Sequence, residues 1–210
     1  MIIMHYSKQN FILYAIILLM TAFNLLLVLK IKMNKTKYHK IGTSITDKNT
    51  YTNYYKTIAD INFANNGIKL DSLIMLKNAT NSKGARIKDL FKDSEKLLIC
   101  RFSEFNCQEC VTYSILKAIS QQDHIRKNNI ILWGDYESCK NLKIYKENLD
   151  IKETDVYNVG FMNIPIEQKG VPYYFILDST LQITDLFIPD RAFSHAANHY
   201  FEIIQKKHFQ

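Results

Sequence analysis

Leu98-Ile-Cys-Arg-Phe-Ser-Glu-Phe-Asn-Cys-Gln-Glu-Cys110 joins an apolar run to a pair of cysteines three residues apart. The run Leu97–Phe102 has the character of a strand buried in a sheet, interrupted only by Arg101. From Cys107 to about Gln121 the apolar positions change period: Val111, Ile115, Ala118 and Ile119 recur at helical spacing. A buried strand thus hands the chain directly to a helix, and the two cysteines stand at the handover.

Working outward, Asn129–Trp133 reads as a second buried strand ended by Gly134-Asp135. Ser138 is placed to cap a helix whose apolar side carries Leu142, Tyr145 and Leu149. A short strand is expected near Val156–Val159. Tyr173–Leu177 and Leu181–Ile188, joined by Asp178-Ser-Thr, form a hairpin. Phe193, Ala196, Ala197, Tyr200, Phe201 and Ile204 trace one face of a last helix. Upstream, Ile68–Leu76 is strand-like, Asn78–Gly84 is rich in turn residues, and Arg86–Phe91 suggests a short element. Alternating strands and helices followed by a hairpin imply an α/β fold with a mixed central sheet flanked by helices.

The N-terminal part is of a different kind. Phe11–Leu29 carries no charge over 19 residues, enough to span a hydrocarbon core of about 30 Å. No small-x-small pattern follows it and no cysteine precedes Cys100, so neither a cleaved leader nor a lipid-modified cysteine is expected. Residues 11–31 are therefore read as a transmembrane anchor behind a flank at 1–10. Residues 32–66 are read as a polar, Lys-rich stem with little periodicity, and 67–210 as the folded domain. The net charge of +7 is concentrated there: residues 1–47 hold six Lys and one acidic residue. That distribution marks membrane-flanking charge and not a nucleic-acid surface.

Two cysteines at i and i+3 on a helix N-terminus are suited to thiol–disulfide exchange. Unpaired backbone N–H groups and the positive end of the helix dipole favour a thiolate there, and the second sulfur lies within reach of the first. The same spacing serves zinc, but Cys100 and Cys139 lie 39 residues apart and supply no second pair. His195 and His199 share the polar stripe of the last helix with Glu202 and Lys206, which reads as a solvated face. Cys100 belongs in a buried strand as a small hydrophobe, Cys139 has no partner spacing, and Trp133 is a core residue. Val171-Pro172 opens an apolar strand, where a residue without a ladder donor is tolerated.

Together with Gly170-Val-Pro-Tyr-Tyr-Phe-Ile-Leu-Asp178, the opening stretch resembles the redoxin branch of the thioredoxin superfamily, most of all the membrane-anchored TlpA/ResA-like thiol–disulfide oxidoreductases of bacteria. The resemblance covers roughly residues 85–207. It implies that Cys107 attacks and Cys110 resolves; Cys110, one turn inside the helix, is expected to be the less exposed of the two. It further implies a cis bond before Pro172, with that proline against the disulfide, and a Val171 backbone offered to a substrate strand. Asn106 stands where relatives commonly have an aromatic residue; it is counted with Val171 as substrate-facing and is also suited to cap the helix. The dipeptide Gln108-Glu109 lacks the usual proline, and Glu109 opposes the lowering of the Cys107 pKa from about 8.5. The implied activity is reduction of protein disulfides with electrons from a thiol–disulfide donor, without cofactor, metal or nucleic acid. A copper or zinc carrier built on the same two sulfurs is one alternative. A peroxiredoxin-like peroxidase is the other, although Arg101–Asn106 lacks the Pro and Thr which that chemistry uses ahead of its cysteine.

The family resemblance places the domain outside the cytoplasm. Lys30, Lys32, Lys35, Lys37 and Lys40, following the apolar run, favour the cytoplasm by the positive-inside rule. A topology reporter fused after Gln210 is expected to be active on the extracytoplasmic side; cytoplasmic activity alone refutes that orientation.

Overall fold

The computed structural model describes residues 19–21, 26, 30 and 49–210. The chain divides into two compact units, 1–55 and 56–210. In the first, all described residues are helical. The anchor read over 11–31 lies outside the described residues except at 19–21, 26 and 30. Among the described residues no helix is long and apolar enough to cross a membrane.

The second unit is built on an eight-residue strand, β3 (Lys96–Ser103), whose interior residues are all buried. It pairs in parallel with β4 (Ile130–Asp135), from Leu98↔Ile130 to Ser103↔Asp135. On its other edge it pairs antiparallel with β6 (Tyr173–Asp178), from Lys96↔Asp178 to Arg101↔Tyr173. With β1 (Met75–Asn78), β2 (Gly84–Arg86), β5 (Asp155–Asn158) and β7 (Ile183–Phe187), the sheet has seven strands in the order β2-β1-β5-β4-β3-β6-β7. It is mixed, as the element order implied.

Alternation along these strands gives the sheet two apolar faces. Leu97, Ile99, Ile131, Trp133, Tyr173, Phe175 and Leu177 join one cluster with Ile61, Ile164 and Ile166. The opposite parity faces α2 (Gln108–Ile119) and α4 (Ser194–His208). There the buried Tyr174 hydroxyl donates to Ser114 O of α2 at 2.6 Å, and its ring lies 5.2 Å from that of Phe201 in α4. The helix α3 (Cys139–Asn148) begins as its sequence proposed, with Ser138 Oγ accepting from Asn141 N at 3.2 Å. The last helix buries Ala196, Ala197, Tyr200, Phe201 and Ile204, the face marked by the 3.6-residue period.

Two expectations need correction. The strand read over Ile68–Leu76 is broken, because Asp71 Oδ1 accepts from Leu73 N at 2.8 Å in an Asx turn. Lys69 keeps one isolated bridge to Gln182, and the regular strand starts at Met75. The compact unit also takes in residues 56–66, assigned above to the stem. Residues 56–65 are helical (α1) and bury Ile61 and Asn65. Asn65 Nδ2 donates to Ile61 O at 2.8 Å, and Asn65 Oδ1 accepts from Ile166 N at 3.1 Å. Asn62 and Asn65 conceal this helix in the sequence; its bond to Ile166 is made by a polar side chain that hydropathy does not count.

Asn65→Ala is expected to lower stability by about 1–3 kcal/mol, because it leaves the buried Ile166 N–H without its acceptor. Urea unfolding of the full chain measures this. A stem lying outside the domain would show no change.

Candidate active site

At the carboxyl end of β3 the chain turns through residues 103–107 before entering α2. Asn106 holds this turn: its Oδ1 accepts from Ser103 N at 2.9 Å, while its own N–H donates to Ser103 O at 3.0 Å. It therefore caps the loop and not the helix. The N-cap of α2 is Cys107 itself, whose Sγ accepts from Cys110 N at 3.3 Å. Cys107 and Cys110 are joined in a disulfide with Cα atoms 5.2 Å apart, inside the usual range.

Both cysteines are exposed, which corrects the expectation that Cys110 would be shielded. The first turn of α2 looks outward, and burial begins only at Val111. Opposite the sulfurs, Val171 and Pro172 line the same cleft of about 230 Å³, with Glu109, Tyr113, Ile188 and Arg191. Val171 forms no backbone hydrogen bond among the described residues, so its N–H and C=O are open to an added strand. The bond before Pro172 is trans, because no cis peptide bond occurs among the described residues. Trans is the lower-energy isomer, and here Gly170, at φ +62°, makes the reversal into β6. The structure thus brings Cys107, Cys110, Val171 and Pro172 together, with Asn106 on the wall of an adjoining cavity that Val171 shares.

Behind Val171 lies a group that its sequence context did not reveal as important. Arg101, inside the apolar run of β3, has a side chain only 3% exposed. Its Nε and Nη2 donate to Glu167 Oε1 at 3.0 and 2.7 Å, and Nη1 and Nη2 donate to the carbonyls of Val159 and Gly160 at 2.6 and 3.0 Å. Glu167 Oε2 accepts from Met162 N at 2.7 Å, and Asp135 lies 3.5 Å from Nη2. The guanidinium therefore ties β3 to the 159–169 segment that leads into Val171-Pro172. Its one signal in the sequence was a charge in the middle of a buried strand. Tyr113 was also missed; it lines the cleft, and its buried hydroxyl has no hydrogen-bond partner.

The remaining candidates fall where their sequence context put them. Cys100 is fully buried, and burial pushes its thiol far above the ordinary range. Cys139 is a free, half-buried thiol at the start of α3. Trp133 is core, and His195 and His199 are exposed, His199 lying 3.5 Å from Glu202. Among the described residues no group of three or more His, Cys, Asp or Glu side chains is arranged to hold a metal ion.

Compared by sequence, the chain matches no protein-family model and no curated protein. Compared by structure, it is similar to a PrxQ mutant from Xylella fastidiosa at a TM-score of 0.50 and 13% identity, over 69% of this chain and 97% of that one. It is also similar to a thioredoxin-like protein from Porphyromonas gingivalis, with a TM-score of 0.45, 18% identity and the same coverage. A third is the exposed lipoprotein thioredoxin Etrx1 of Streptococcus pneumoniae, with a TM-score of 0.39 and 15% identity over 60% of this chain and 97% of that one. The first of these supports the fold: a mixed α/β, thioredoxin-like architecture.

Arg101→Met is expected to cost about 3–5 kcal/mol in urea unfolding, since it leaves Glu167 buried without its counter-charge. The double variant Arg101→Met/Glu167→Gln should recover part of that loss. A cost below about 1 kcal/mol for the single variant would show that the pair does not hold this segment.

Proposed function

We propose that this chain is a thiol–disulfide oxidoreductase that reduces disulfides in protein substrates. One observation carries the reading: a Cys107–Cys110 disulfide at the N-terminus of α2 shares a single open cleft with Val171 and Pro172. The disulfide is the oxidised member of the couple. In the reduced member, the Cys107 thiolate keeps the N–H of Cys110 and the helix terminus as stabilising partners.

In the forward half-reaction the Cys107 thiolate attacks one sulfur of a substrate disulfide. The substrate S–S bond breaks, its other sulfur leaves as a thiolate, and Cys107 is joined to the substrate in a mixed disulfide. Cys110, deprotonated, then attacks Cys107 Sγ. The mixed disulfide breaks, the second substrate thiolate departs, and Cys107–Cys110 is restored. Two electrons and, from solvent, two protons end on the substrate. Return of the pair to the dithiol consumes two electrons from an external thiol–disulfide donor. The Val171 backbone aligns the substrate as an added strand, while Pro172, lacking an N–H, shapes the floor of the cleft.

The finer assignment follows the resemblance: a TlpA/ResA-like reductase, held at a membrane by residues 11–31, with its redox unit on the extracytoplasmic side. The carrier and peroxidase alternatives use the same sulfurs, so trapping separates them from the preferred reading. Cys110→Ser is expected to leave attack intact and to accumulate disulfide-linked partners on Cys107, seen as reducible high-mass species. Cys107→Ser should abolish trapping and reduction of a model disulfide. Trapping by Cys107→Ser alone reverses the two roles. No trapping by either, with a wild type unable to reduce a model disulfide, removes the proposal.

A further inference from the structure

Next to the dithiol cleft is a second cavity of about 200 Å³. Val171 lines both, and Asn106, adjacent to Cys107, forms part of its wall. A polypeptide laid along Val171 with its cysteine at Cys107 therefore presents a neighbouring side chain to this cavity.

Three features of the lining decide what suits it. The first is charge. One cation, Arg101, faces two carboxylates, Glu167 and Asp135. Arg101 is committed to Glu167 and to two carbonyls, whereas Asp135 has only its 3.5 Å approach to Arg101 and is 32% exposed. The second is Tyr173, a buried residue of the lining whose hydroxyl lies beside Arg101 and Glu167. The third is a pair of aromatic rings on the same lining, Phe105 and Phe161, 88% and 63% exposed. An acidic side chain would meet Asp135 unfavourably. An apolar one would leave the Asp135 carboxylate without a closer partner. A cationic side chain suits this lining, by a charge-assisted bond to Asp135 and contact with aromatic faces.

We infer that this cavity is a subsite for a basic residue, Lys or Arg, beside the target cysteine of the polypeptide substrate. The inference rests on the oxidoreductase reading and adds the class of substrate. The test uses the full chain, reduced and freed of excess reductant, with three disulfide-linked peptide dimers. The dimers are identical except for Lys, Ala or Glu next to the cysteine. Initial rates of peptide thiol release are followed by mass spectrometry, each divided by the rate of the same peptide with dithiothreitol to remove intrinsic reactivity differences. The normalised Lys rate is expected to exceed the Glu rate about fivefold, the upper range of a partly exposed ion pair. Asp135→Asn should bring the ratio to within about twofold of unity. Equal rates, a preference for Glu, or a ratio unchanged in Asp135→Asn overturns the subsite while leaving the oxidoreductase reading in place. If no dimer is reduced, the Ala peptide included, both fall.

Discussion

A guanidinium placed inside a sheet has to be neutralised and bonded on nearly every N–H, or the fold is not stable. Arg101 meets that requirement with one carboxylate and two carbonyls, all from residues 159–167. The consequence is structural. The connection between β5 and β6 is drawn onto the end of β3, where the chain also turns toward Cys107. The turn Pro165–Lys169 is held from two sides, by Asn65 on Ile166 N and by Arg101 on Glu167. Gly170 then reverses the chain, and Val171-Pro172 arrives opposite the disulfide. A buried ion pair contributes little net stability compared with apolar packing, but it restricts the alternatives open to a long connection. Here the restriction falls on the segment that forms the far wall of the cleft.

The near wall depends on a different constraint. The disulfide belongs to the first turn of α2, and that helix is tied to β6 by the Tyr174 hydroxyl on Ser114 O, with Ser114 Oγ in turn on Cys110 O at 2.7 Å. A short line of bonds therefore runs from the strand behind Pro172 to the second cysteine. Both walls are thus referenced to β6, one through Gly170 and one through Tyr174. The sulfurs themselves stay exposed. Rigid support behind exposed atoms is what exchange with a macromolecular partner demands, since the attacking and leaving sulfurs must line up with the one between them.

Most of this architecture was legible in the sequence because it is written in apolar periodicity. Leu97–Phe102, Ile130–Trp133 and Tyr173–Leu177 are strands, and the last helix shows its 3.6-residue face residue by residue. The cysteine pair was legible through spacing and position. What stayed hidden was polar. The α1 helix packs through Asn65, a residue that lowers the expectation of both helix and burial. The strand expected from Ile68 is interrupted by a side chain-to-backbone bond at Asp71 that no hydropathy pattern records. Arg101 is visible as a charge in an apolar run, yet its partner Glu167 lies 66 residues on, in a stretch without periodicity. The isomer before Pro172 was carried over from resemblance, and the backbone freedom of Gly170 allows the turn to be made without it.

Exposure of both sulfurs in one cleft also bears on how the protein turns over. On the oxidoreductase reading proposed above, the oxidised pair is reopened by a donor thiolate and the reduced pair is approached by a substrate disulfide; both events take place at Cys107 or Cys110. The described fold offers these partners the same approach, past Val171 on one side and past Tyr113 and Arg191 on the other. On that reading substrate and donor alternate, since neither can be bound productively while the other is in place. Alternation at a shared surface limits how tightly either can be held, because a partner that stays blocks the other. The contacts that distinguish a substrate are thus better placed at the margin of the cleft than on the sulfurs, as the cavity lined by Asp135, Tyr173 and Phe161 is. On the proposed reading, a partner that does not fill this margin still reaches the disulfide, and one that fills it is selected without any change in the sulfur chemistry.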